Sequence, residues 1–402
     1  MSLGSRFYRQ KGRVTMDENE LMGSMKVSKA VAKMAIPSVI SSLVTVVYNM
    51  ADTFFVGQTG DPLQVAAVSL TNPIFILFMA FANMFGMGGS AAASMALGEK
   101  KEKRVKQVSS FITYASLIVG IVFAAILLVG MQPVLQLFGA DADTYELAKG
   151  YTTYISYGAP FIIWSAAASF VVRADGASRE AMTGSMIGTV ANIILDPIFI
   201  SGFGMGAAGA AIATTIGNIM ASVYYLWYFC RKSRNMSMAF RYFKCGDRIL
   251  SQVCSAGLPT AIFSALMSIS TIILNQILVA YGNAPVAAIG IVFKANMFIT
   301  FLQMGLANGV QPLLGYSYGA GNRERFIAVE RYTKKCCLIV GVLATALFFF
   351  FREPIIRLFI SDTEVINYGV EMLIAYMISG PVIGILFMNM RSEEHTSELQ
   401  SH

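Results

Sequence analysis

The sequence predicts an all-α polytopic membrane protein built from two parallel six-helix repeats, and three observations predict it. The chain is 55% hydrophobic and 13% charged, with a mean hydropathy of +0.60. That composition excludes an ordinary soluble domain and a disordered chain. Ten segments are long and apolar enough to cross a bilayer, which takes about 20 residues as a helix. They lie at about 33–57, 65–92, 107–130, 148–172, 182–203, 206–229, 254–281, 285–312, 335–351 and 366–390. Finally, residues from about Ala35 to Met390 repeat with an offset of 221. Val65-Ala66-Ala67-Val68 returns as Val286-Ala287-Ala288-Ile289, Gly98 as Gly319, Pro133 as Pro354, and Pro160 as Pro381. One inserted residue shifts Pro37 to Pro259. Six helices precede a long basic loop and four follow it, and an even number per lobe gives both lobes the same orientation. Two such lobes are the usual construction of a secondary transporter, with the substrate site between the repeats.

In chain order, residues 1–29 form a polar, charged N-terminal segment without the apolar core of a signal peptide, and Met16 is an alternative start. The first lobe is expected at 30–229, the basic loop at 230–250, and the second lobe at 251–390. By the repeat offset, the second lobe should continue to about residue 450, so twelve helices are expected and the last two are missing. Residues 391–402 break the hydrophobic pattern and read as a translated sequencing adapter, a non-native tail. Both histidines, His395 and His402, lie in it. The spans therefore lack imidazole, and any proton carrier must be a carboxylate.

The net charge of +7 reflects topology rather than nucleic-acid binding. Of the 30 Lys and Arg, 26 fall in the N-terminal segment, the alternate loops on its side and Arg391. Three (Lys149, Arg352, Arg357) fall on the other side, and Lys294 lies inside a span. Excess cations mark the cytoplasmic face, which places the N-terminus inside a cell (inner) membrane. The five cysteines (Cys230, Cys245, Cys254, Cys336 and Cys337) all lie near this side, where thiols stay reduced, so they predict neither disulfide nor metal centre.

Ionisable residues within spans are costly and default to functional candidates. There are three, Asp52, Asp196 and Lys294. Asp52 lies about five residues from the outer end of the first span, with Tyr48 one turn earlier on the same face. Asp196, before Pro197, lies at the same depth in the fifth, with Asn192 on its face. Such a pair can bind one cation or share one proton; the bland alternative is that each caps a helix end. The repeat maps Asp52 onto Leu274 and Lys294 onto Pro73, so neither charge is required by the shared architecture. Lys294, near the midplane, can form an internal ion pair or touch substrate. Asn49, Arg173 and Gln311 are further candidates for the substrate pathway. The glycines of 202–209 lack the strand and Lys of a phosphate loop and read as a tight turn. No ATP-binding motif occurs, so transport must run on an ion gradient, without a cofactor.

The stretches Ala35-Ile36-Pro37, Asp52-Thr53-Phe54-Phe55-Val56-Gly57, Arg173-Ala174-Asp175-Gly176, Asn192-Ile-Ile-Leu-Asp196-Pro197 and Gln311-Pro312-Leu-Leu-Gly315-Tyr316-Ser317-Tyr318-Gly319 resemble the multidrug and toxic compound extrusion (MATE) family, in its DinF/MepA-like branch. The resemblance covers about 28–390. It implies twelve helices around a V-shaped cavity, and export of cationic amphipathic compounds in exchange for H⁺ or Na⁺ by alternating access. It also implies an ion-coupling site at Asp52, Asn192, Asp196 and Thr214, with Tyr48 alongside; the same oxygens would hold Na⁺. The NorM-type acidic site of the second lobe has no match here. Expected partners are small-molecule substrates and the bilayer, with no nucleic acid and no ATP, and the chain is expected to act as a monomer. The alternative is a flippase of lipid-linked precursors, which calls for more cationic residues in the cavity. An enzyme is disfavoured because the chain lacks a paired nucleophile and base.

Overall fold

The computed structural model describes residues 20–57, 61–244, 246, 248–358, 360 and 362–396. Met16, Cys245 and the tail residues 397–402, including His402, lie outside the described residues. The chain forms α1 (Val27–Gly57), α2 (Pro62–Gly98), α3 (Glu102–Val129), α4 (Tyr145–Ala174), α5 (Ser178–Pro197) and α6 (Gly206–Arg231). After a linker come α7 (Ile249–Val279), α8 (Asn283–Gly319), α9 (Arg323–Phe350), α10 (Thr363–Met377) and α11 (Gly380–Thr396). Among the described residues, eight of these are long and apolar enough to cross a membrane, or nine with the bent pair α10–α11 as one span. Helix α7 is 31 residues long.

The helices outrun the apolar segments that announced them. Helices α2 and α8 are 37 residues each, about 55 Å long, because hydropathy marks only the part of a helix that lies in hydrocarbon. For the first three helices of each lobe the repeat holds to the residue. Helices α2 and α8, and α3 and α9, begin and end 221 apart, whereas α1 and α7 are 222 apart. The short helices Met131–Leu137 and Arg352–Arg357 that follow α3 and α9 also begin 221 apart.

Small residues opposite prolines position the helices. Proline removes a backbone hydrogen bond and bends a helix, and in a bilayer neighbouring helices must accommodate the bend. A Cβ on Gly120 of α3 would fall onto Pro160 of α4, and its repeat mate Gly341 of α9 meets Pro381 in the same way. The last pass differs from the single span expected at 366–390. It breaks after Met377 with a 45° bend, where Gly380 and Pro381 follow each other. Helix α5 also ends irregularly, in a π turn at Ile198–Gly202 after Pro197. Away from these seams, Ile118, Ile121, Val122 and Ile126 form an exposed apolar stripe along α3, the face suited to lipid.

The two lobes meet along α1–α8, α2–α7 and α2–α8, again in symmetric pairs. A Cβ on Gly88 would meet Val253 and one on Gly257 would meet Met84, while Gly309 and Gly305 stand against Ala35 and Val39. At the end of the bundle where the Lys and Arg cluster (the basic end), the repeat mates Gly98 and Gly319 abut each other's helices at backbone distance. There Leu21 and Met22 join a cluster with Leu313 and Val329. Arg325 donates to the carbonyls of Met22 (2.8 Å), Met25 (2.8 Å) and Leu21 (3.2 Å).

The basic linker is docked on the first lobe. Ser109 Oγ donates to the Ser237 carbonyl (3.0 Å), and Tyr114 Oη donates to that of Met238 (3.0 Å). Asp175 accepts from Tyr228 (2.8 Å), Ser233 (2.7 Å) and Asn235 (3.0 Å). Helix α11 also carries on past residue 390, where the sequence reading ended the lobe. Arg391 is buried and its Nε donates to Asn308 Oδ1 (3.1 Å).

Candidate functional site

Helix geometry brings the ion-site candidates together at the end of the first lobe away from the basic end. Asp52 lies five residues before the end of α1, Asp196 one residue before that of α5, and Thr214 eight residues into α6. Thr214 is the junction. Tyr48 Oη lies 3.5 Å from its hydroxyl. With the Asn192 amide nitrogen turned to the carboxylate, Asn192 donates to Asp196 Oδ2 (3.0 Å). Its oxygen then accepts from the Thr214 amide (2.9 Å) and hydroxyl (3.2 Å). Asp196 is fully buried, and the Oδ1 atoms of both Asp52 and Asp196 are buried without a hydrogen-bond partner. The two carboxylates lie within electrostatic range of each other. Unmatched carboxylate oxygens in a dry site are costly, so the cluster is suited to a proton or a small hard cation, with oxygens from Asp52, Asp196, Asn192, Thr214 and Tyr48 as ligands. Among the described residues, no group of three or more His, Cys, Asp or Glu forms a metal centre.

Beside this cluster lies a cavity of about 510 Å³. Its walls come from α1, α2, α4, α5 and α6, and from α8 of the other lobe through Phe301, Met304 and Asn308. Tyr48, Asn192 and Thr214 line one end, so they stand between the cavity and the carboxylates. Along α1 the lining runs from Ser38 to Asn49 and along α4 from Ile162 to Arg173, about 16 Å in each case. The close contacts between the lobes occur at 34–39, 84–88, 95–98, 253–257, 305–309 and 316–320. They hold the lobes together toward the basic side, and the cavity runs from Asn49, in the outer half of α1, to Arg173, one residue from the basic end of α4.

The MatE family profile matches residues 37–198 and 259–391, once per lobe and starting 222 residues apart. The chain belongs to the MATE family. It is 32% identical to the multidrug export protein MepA of Staphylococcus saprophyticus over 90% of this chain and 80% of that protein. To MepA of Staphylococcus aureus it is 31% identical with the same coverage. Among solved structures it is similar to an outward-facing multidrug-resistance MATE transporter of the MOP superfamily (TM-score 0.87, 25% identity, 94% of this chain and 85% of that one). A MOP superfamily transporter from Pyrococcus furiosus, described as having a binding pocket of reverse polarity, is similar as well (TM-score 0.84, 26% identity, 95% and 86%). This MATE protein is therefore a multi-span membrane transporter related to exporters of small molecules, and those relatives are transporters rather than enzymes.

Of the pathway candidates, Asn49 and Arg173 line the cavity. Gln311 does not. It is buried in the seam between lobes, with its Nε2 donating to the Met87 carbonyl (3.4 Å). Lys294 is exposed rather than held in an internal ion pair. It lies 11 residues into the 37-residue α8, two turns from Phe301 on the same face. Sequence reasoning missed Tyr151 of α4, which lies within electrostatic range of both aspartates, and no sequence pattern marked it. It also missed the polar wall formed by Ser38, Ser41, Ser42 and Thr45 on α1 and by Ser165 and Ser169 on α4. That wall did have a signal, since polar residues recur there at three- and four-residue spacing.

Proposed function

We propose that the chain is a secondary antiporter that exports cationic amphipathic drug-like compounds in exchange for H⁺ or Na⁺, with Asp52 and Asp196 as the coupling pair. One observation carries this reading: two carboxylates, each with a buried, unpartnered oxygen, separated from the cavity by Tyr48, Asn192 and Thr214. The basic end is cytoplasmic, by the excess of cations there, and the close glycine contacts between the lobes lie toward that side. An ion arriving from outside neutralises the pair and repacks α1 against α5 and α6, which changes the cavity wall and releases substrate. Release of the ion inward resets the site. The names of the relatives weigh against a flippase of lipid-linked precursors. The test is efflux of ethidium from reconstituted vesicles under an imposed pH or Na⁺ gradient. Asp196→Asn should abolish gradient-driven export while the protein still inserts. Full export by that variant would sink the assignment.

A further inference from the structure

Among the described residues, Arg173 is the only one with a formal charge that lines the cavity. It is 7% exposed, and its Nε is buried without a hydrogen-bond partner. The guanidinium rests on the ring of Phe170, 5.1 Å from the centroid. Among the described residues no carboxylate pairs with it. Asp175, two residues on, is saturated by Tyr228, Ser233 and Asn235. The other buried charge near it, Arg391, is also a cation. Burying a cation without a counterion is strongly unfavourable, and stacking on a ring recovers only part of that. The rest of the wall is rich in hydroxyls and amides, including Ser41, Ser169, Ser185 and Asn308.

We propose that Arg173 is a subsite for an anionic group of the exported molecule, a carboxylate in the first instance, so that the preferred substrates are amphipathic zwitterions. The guanidinium fork binds a carboxylate bidentately, and the acidic cluster lies beyond the opposite end of the cavity from Arg173. A molecule with a cationic centre toward Tyr48 and an acid toward Arg173 would satisfy both ends. This rests on the reading of the cavity as the export site and names its substrate class.

The experiment uses two rhodamine probes that differ only in a free carboxylate or its ethyl ester, both keeping the cationic xanthene. Binding to the purified full chain in phosphatidylcholine nanodiscs is read by fluorescence anisotropy. Wild type should prefer the acid, Arg173→Gln should lower the acid-to-ester affinity ratio at least tenfold, and Arg173→Lys should retain part of it. An unchanged ratio in Arg173→Gln overturns the subsite. A separate variant, Ala166→Trp, fills the cavity and should block both probes. If both still bind it as they bind wild type, the cavity reading itself has failed, and the subsite with it.

Discussion

Thr214 is the residue on which the ion site turns, because its hydroxyl and amide hold Asn192, and Asn192 holds Asp196. Thr214→Val keeps the shape and removes the hydroxyl. Losing such a hydrogen bond costs about 1 kcal/mol, so the ion concentration for half-maximal export should rise roughly fivefold, with little change in thermal stability. An unchanged ion dependence would show that Thr214 only packs. Asp175 makes the opposite case, a buried carboxylate serving the fold. Burial raises its pKa, with hydrogen bonds from Ser233, Tyr228 and Asn235 opposing this. The folded chain therefore holds that proton more tightly than the unfolded one. The group's stabilising contribution is fully present below the unfolded value and declines as pH climbs through the folded value. Asp175→Asn should flatten that slope in a melting-temperature series. Asp175→Ala, which strands three donors, should cost about 1–3 kcal/mol and, by loosening the linker, speed tryptic cleavage at its surface residues Arg234 and Arg241.

At the scale of elements, the repeat makes predictions in pairs. Gly120 and Gly341 each face a proline of the neighbouring helix, so Gly120→Val and Gly341→Val should both destabilise by about 1–3 kcal/mol through overpacking. The shared offset means that both should lower the thermal midpoint of the purified protein; a neutral result at either would show that its helix pair can slide apart. This symmetry was visible in the sequence, because proline and glycine are scarce, unambiguous markers whose positions return at 221. Asp52 and Asp196 were visible too, because a charge within an apolar run stands out. Other features were hidden for physical reasons. The break after Met377 follows from how Gly380 and Pro381 meet α9, and the π turn after Pro197 depends on the packing of α6. Tyr151 reaches the aspartates only once α4 has crossed the lobe. The exposure of Lys294 was hidden as well, because hydropathy gives depth along a helix but not which side faces a neighbour.

For the whole molecule, alternating access requires that the seal at the basic end open while the lobes stay joined. Glycine contacts such as Gly98 against Gly319 make that seal tight without making it permanent, since small residues packed at backbone distance in a bilayer gain dispersion rather than hydrophobic burial. The clamp of Arg325 on the carbonyls of Leu21, Met22 and Met25 is different. It ties the segment leading into α1, a first-lobe helix, to α9 of the second lobe, and its charge-assisted bonds are individually stronger than neutral ones. Removing it should therefore bias the protein toward the state open at the basic side. In a cysteine-free background, Ser42→Cys places a thiol on the cavity wall, which an impermeant maleimide should label from the side opposite the basic end. Adding Arg325→Ala should lower that labelling severalfold and raise labelling from the basic side. If the sidedness does not move, the clamp only secures the N-terminal segment, and the closure rests on the glycine seam alone.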